Sequence, residues 1–119
     1  MNSTEFQELC LSLPGAVEDL KWENDLCFCV AGKIFAVLGI ANDPISLSFK
    51  TTPELFEVLT CRDGIDPAPY LARYKWVRLD HLEAMEPDEL EHHVRESYRL
   101  IFSKLPKKVR TVALASVKT

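Results

Sequence analysis

A chain of 119 residues, 47% hydrophobic and 27% charged, has the size of one globular domain and too much apolar content for a disordered segment. Its formal net charge of −4 argues against a broad DNA-binding face, because phosphate contacts dominate that affinity. The opening Met1-Asn2-Ser3-Thr4-Glu5 lacks the basic start and apolar run of a signal peptide, and no uncharged stretch is long enough to cross a bilayer. A single cytoplasmic domain over 1–119 is expected.

Thr4 and Gln7 have capping-box spacing, and Phe6, Leu9, Cys10 and Leu13 follow at helical intervals until Pro14-Gly15 stops the helix. From Val17 the pattern shifts towards period two. Leu26, Phe28 and Val30 share one strand face and Cys27, Cys29 and Ala31 the other, with Gly32-Lys33 as a hairpin turn. Ile34 to Ile40 is apolar on both faces, which suits a central strand. After a turn at Asn42-Asp43-Pro44, Leu47 and Phe49 point one way, while Ser46, Ser48 and Lys50 point to a solvated face.

Thr52-Pro53 combines an N-cap with proline at the first helical position. Leu55, Phe56, Val58 and Leu59 would form that helix's buried stripe. A proline loop, Asp66 to Tyr70, leads to a short strand near Lys75 to Leu79, where Val77 and Leu79 face away from Trp76 and Arg78. A last helix starts near Pro87, buries Leu90, Val94, Ser97, Tyr98, Ile101 and Leu105, and ends by Pro106. Its acids lie early and its bases late, as the helix dipole favours. The order of elements predicts an α+β fold with an antiparallel sheet packed against helices. Residues 111–119 read as a loosely ordered tail.

Short motifs spread along the chain carry a resemblance. They are Leu13-Pro14-Gly15, Gly32-Lys33-Ile34-Phe35-Ala36, Ser46-Leu47-Ser48-Phe49-Lys50, Pro67-Ala68-Pro69-Tyr70, Trp76-Val77, Glu96-Ser97-Tyr98 and Leu105-Pro106-Lys107-Lys108. In that order and spacing the chain resembles the MmcQ/YjbR family over nearly its whole length. The resemblance implies a CyaY-like α/β sandwich, similar to the fold of frataxin, and a DNA-binding role.

Lys50, Trp76 and Arg78 project away from their apolar neighbours by strand alternation, and a basic pair with an aromatic can hold a phosphate and stack a base. Tyr70 would add a second stacking platform. The alternative is that Trp76 packs under a helix and Lys50 is merely solvated. All eighteen acids lie at or before Glu96, and the charges from Lys104 onward are Lys104, Lys107, Lys108, Arg110 and Lys118. Lys107 and Lys108 head the densest basic cluster, an electrostatic footprint for nucleic acid or a helix end with a solubilising tail.

The four cysteines contain no C-x-x-C, and Cys10, Cys27 and Cys29 read as buried thiols. Glu89-x-x-His92 occurs once, whereas carboxylate-bridged metal sites need a second copy, so a solvated helix surface is expected around His92 and His93. Glu5, Glu8, Glu18, Asp19, Glu23 and Asp25 suggest an acidic ridge that could hold a cation weakly, as frataxin-type folds allow. No phosphate-cradling glycine loop and no G-x-S-x-G is present, and no cofactor is implied. The expectation is a non-catalytic binding module for nucleic acid. A protein or small-ligand interaction domain, or a cation-binding module, is the alternative.

Overall fold

The computed structural model describes residues 1–21 and 24–115. Glu23 of the acidic ridge and Lys118 of the basic tail lie outside the described residues. Helix α1 (Ser3–Leu11) is capped two residues earlier than the Thr4 spacing suggests. Asn2 Oδ1 accepts the Glu5 N–H at 2.8 Å, and the Glu5 carboxylate accepts the Asn2 N–H at 2.9 Å. An Asn–Glu pair satisfies the first turn as well as Thr–Gln would. The helix buries Phe6 and Cys10, and Phe6 meets Phe28 edge-on at 5.9 Å.

Six strands follow: β1 (Ala16–Lys21), β2 (Asp25–Val30), β3 (Lys33–Gly39), β4 (Ser46–Lys50), β5 (Ile65–Pro67) and β6 (Trp76–Leu79). They form one sheet in the order β1-β2-β3-β4-β6-β5, antiparallel throughout. The β2–β3 hairpin turns at Ala31 and Gly32, both with positive φ (50° and 78°), the pair of angles that matches the twist of a tight hairpin. Two of the three residues of β5, Asp66 and Pro67, fall in the stretch that the sequence marks as a proline loop. Three residues ending in proline carry too short a signal, and a proline fits the sheet edge that β5 forms.

Helix α2 (Pro53–Leu59) starts as expected, with the Thr52 hydroxyl accepting the Leu55 N–H. Its stripe is narrower than read: Leu59 is buried, Leu55 and Phe56 are half-buried, and Val58 faces solvent. Helix α3 (Pro87–Phe102) buries Leu90, His93, Val94, Ser97 and Tyr98. Helix α4 (Lys107–Ala115) occupies much of the stretch read as a loose tail. Val109 and Ala113, four residues apart, turn it onto the end of the sheet. A Cβ on Gly15 would stand 3.0 Å from that of Ala113, so the contact needs glycine there.

One core joins Phe28, Leu38, Phe49 and Val77 of the sheet to Phe6, Leu59 and Leu90 of the helices. Inside it, β3 carries a bulge. Phe28 pairs with Ala36 but Cys29 pairs with Ile34, so Phe35 is the extra residue. Phe35 and Ala36 both face the core, and Phe35 packs edge-on against Tyr98 at 5.2 Å. Beside the bulge, the Ser97 hydroxyl donates to the Phe35 carbonyl at 2.6 Å and accepts the Lys50 N–H at 2.9 Å. Among the described residues, no buried side-chain nitrogen or oxygen lacks a partner.

Ser97→Ala would strip partners from a strand carbonyl and a strand amide at once. The expected loss is about 1–3 kcal/mol of unfolding free energy, read from urea denaturation, with faster hydrogen exchange at the Lys50 amide. A loss below about 0.5 kcal/mol would show that the bridge carries no weight.

A candidate binding groove on the open sheet face

Strand alternation sends one set of side chains into the core and the other to the opposite face. Across that outer face the register places Asp19 beside Cys27, Cys27 beside Val37, Val37 beside Ser48, and Ser48 beside Arg78. The bulge adds Ile34 to this face, because the extra residue at Phe35 reverses the alternation beyond it. A groove of about 490 Å³ lies over these strands, with Cys27, Ile34 and Val37 as its apolar floor and Ser46, Ser48 and Arg78 as polar lining. None of its lining residues belongs to a helix.

The loop from Ala68 to Leu71 forms one wall. Ala68 N–H donates to the Trp76 carbonyl, and Trp76 N–H donates to that of Leu71, so the loop is stitched to β6. Tyr70 stands at its crest, 99% exposed, with φ at 67°. A non-glycine residue in the left-handed region is uncommon. At the other end, Gly39 lets Asn42 and Ser46 close in. Their side chains hydrogen-bond at 2.8 Å, and a Cβ on Gly39 would lie 2.7 Å from the Asn42 amide nitrogen.

The three residues singled out on the strands do share this face. Lys50 is directly opposite Trp76, and Arg78 is opposite Ser48. Their environments differ. Trp76 is only 6% exposed and lies outside the helix-packed core, with its backbone bonded to the loop, so it offers no open ring for stacking. The burial agrees with the plainer sequence reading of Trp76, and the stacking role is the one that lacks an accessible ring. Lys50 Nζ donates to the Tyr74 carbonyl at 2.6 Å. Burial, and secondarily the charge of Lys104, pull its ammonium below the ordinary lysine value. Arg78 is half-buried and donates to Asp80 at 2.9 Å.

Tyr70 and Arg78 line the same groove. Lys107 and Lys108 lie on α4, and Lys108 borders a separate cleft with Gly15, Ala31 and Val112. The loop supplies residues that sequence reasoning passed over. Arg73 sits over the Tyr74 ring at 4.8 Å, and Lys75 over the Phe56 ring at 5.0 Å. Their alternation with Tyr70 and Tyr74 was the available signal.

The cysteines Cys10, Cys27 and Cys29 are buried free thiols, and burial pushes Cys27 up to about 11. Among the described residues no three His, Cys, Asp or Glu side chains gather as a metal-holding group. The solvated surface expected around both histidines holds for His92 alone. His93 is buried, stacks on Phe49 at 5.9 Å, and lies 3.8 Å from Glu89. Glu89 in turn is gripped by both terminal nitrogens of Arg62, at 2.6 and 3.1 Å. His93 falls on the stripe of Leu90, Val94 and Ser97, so its position in the helical period announced burial. Arg62 and Glu89 are brought together only by folding.

A six-stranded antiparallel sheet with its helices on one face and a groove on the other defines a two-layer α+β protein. The YjbR family profile matches residues 11–100, and the chain belongs to that family. The match spans every strand of the sheet. The chain is similar in structure to the Deinococcus radiodurans protein DR2400, a DUF419 domain, with a TM-score of 0.83 and 26% identity, covering 92% of this chain and 86% of that one. It shares its fold with a protein from Pseudomonas syringae at a TM-score of 0.69 and 23% identity, over 84% of this chain and 98% of the other. No curated protein matches the sequence. No helix among the described residues is long and apolar enough to cross a membrane.

Burial holds the His93 imidazole below its ordinary value, with Glu89 opposing and His92 and Arg62 reinforcing the shift. The unfolded chain therefore binds this proton more readily than the folded one. The resulting stability is fully present above the ordinary histidine value and is lost as pH falls through it towards the folded value. Urea midpoints should accordingly drop between about pH 7.5 and 5.5, with a shallower drop in His93→Gln. Equal slopes in the two proteins would remove His93 from the account.

Proposed function

We propose that this YjbR chain is a small, non-catalytic, cytoplasmic module that binds single-stranded nucleic acid along the rim formed by the loop from Tyr70 to Lys75. The observation that carries the reading is a local one. Lys50 bonds to the Tyr74 carbonyl, Arg73 and Lys75 flank Tyr74, and Lys104 stands close enough to perturb Lys50. Tyr70 and Tyr74 are exposed on the same loop. Interleaved cations and exposed rings are what a single strand needs, since the cations follow the backbone and every base offers a face to stack on.

Trp76 is not part of this platform, and the two tyrosines take the stacking role. A duplex is a poorer fit than a single strand, because the acidic excess of the rest of the chain would oppose an extended phosphate track. The one-sided sheet is also consistent with the CyaY-like architecture that family membership implies. That likeness concerns fold and brings no function with it.

Fluorescence anisotropy with a labelled single-stranded oligonucleotide tests the reading. With three or four phosphates neutralised, log affinity should fall against log salt with a slope of about −2 to −3. Lys50→Ala or Arg73→Ala should reduce that slope by about 0.7. Tyr70→Ala should weaken binding by about 1–3 kcal/mol. Absence of binding at low salt, or binding indifferent to these changes, would end it.

A further inference from the structure

We infer that the groove on the open sheet face is a separate binding site for a small anionic ligand: a flat apolar body bearing one carboxylate, phosphate or sulfonate group. The floor supplies the apolar part. Ile34 and Val37, both half-buried, lie beside the 1% exposed Cys27 in a groove whose lining includes no helix residue, and Ile34 is there because of the bulge at Phe35. Polar groups stand around this floor, Ser48 and Arg78 at one end and Asp25 and Asn42 at the other, a mixed lining of the kind small-molecule sites carry. Ser48 and Arg78 are cross-strand neighbours, so a hydroxyl and a guanidinium meet the same end of the occupant.

Arg78 suits an oxyanion. Its bond to Asp80 uses one terminal nitrogen, whereas a guanidinium carries five N–H donors in a planar fork. Its side chain is 32% exposed, dry enough for a charged hydrogen bond to count and open enough to be reached. Asp25 lies across the groove, three strands from Arg78 in the sheet order, and so disfavours a second negative charge at that end. The cavity of about 490 Å³ is within the range of small-molecule pockets. Tyr70 stands over the rim, where its ring would close on a flat occupant.

This site does not rest on nucleic-acid binding. Tyr70 is common to both readings, so the two are told apart by Lys50 and Arg73, neither of which lines the groove, and by Arg78, which the oligonucleotide reading does not use.

The probe is 8-anilinonaphthalene-1-sulfonate, titrated into the full chain and followed by its fluorescence and by amide shifts in two-dimensional NMR. The expected result is saturable binding, with shifts centred on Ile34, Val37, Ser48 and Arg78. Arg78→Gln should weaken it by roughly tenfold or more. Tyr70→Gly, which relieves the left-handed backbone and leaves the core untouched, should weaken it by about threefold. A cationic dye of similar shape should bind far less. Val112→Asp separates the groove from the apolar cleft beside α4. Loss of binding in that variant, shifts confined to α4, or affinity unchanged by both Arg78→Gln and Tyr70→Gly would overturn the proposal.

Discussion

The Ser97 hydroxyl is the contact on which the two layers are aligned. A bulge in a central strand leaves one residue outside the ladder, and here that residue is Phe35. Its carbonyl would lie buried without a partner, a defect that destabilises by about 1–3 kcal/mol. Ser97 supplies the donor, and the same oxygen takes the Lys50 N–H of the next strand. One small side chain on α3 therefore spans β3 and β4. Alanine would fit the space but satisfy neither group. The hydroxyl also sets the position of Lys50, whose ammonium then reaches the Tyr74 carbonyl.

The bulge has a second consequence on the far side of the sheet. Unbulged, Ile34 would join Ala36 and Leu38 in the core. The extra residue places Phe35 there against Tyr98 and sends Ile34 outwards beside Val37. The same irregularity thus fills the core with an aromatic ring and gives the outer face its apolar floor. The helices pack on the inner face, and the loop bonded to Trp76 forms one wall of the groove over that floor.

Much of this was legible in the sequence. The strands from β2 to β4 and β6, the hairpin at Gly32, the Thr52-Pro53 start of α2 and the long amphipathic α3 all follow from periodicity and turn chemistry. The features that escaped depend on pairing across the chain. A bulge has no mark in the apolar run from Ile34 to Ile40, since both phases read as buried. Trp76 is buried although it lies on the face opposite the helix-packed core, and strand alternation alone placed it on an accessible face. The Arg62–Glu89 pair joins residues 27 apart. The short α4 was obscured by its lysines, because Val109 and Ala113 form a stripe too narrow to outweigh them. His93 differs: its phase on α3 pointed inwards, and only the polarity of imidazole argued otherwise.

Net charge was a guide to the whole chain and not to its parts. Arginines along α3 are tied to acids one turn away, Arg95 to Glu91 and Arg99 to Glu96, and Arg62 is held by Glu89. Such pairs cancel at a distance, so they add little to the field felt by a ligand. Around the end of β4, by contrast, Lys50 bonds to a carbonyl, with burial first and Lys104 second lowering its ammonium, while Arg73 and Lys75 rest on aromatic rings. Carbonyls and rings orient a cation without neutralising it. The cations at this rim are thus held by neutral groups, whereas Arg78 in the groove is paired with Asp80 as the α3 arginines are with their acids. An acidic net charge therefore does not by itself exclude a locally cationic surface, because fields are set by local patches more than by the total.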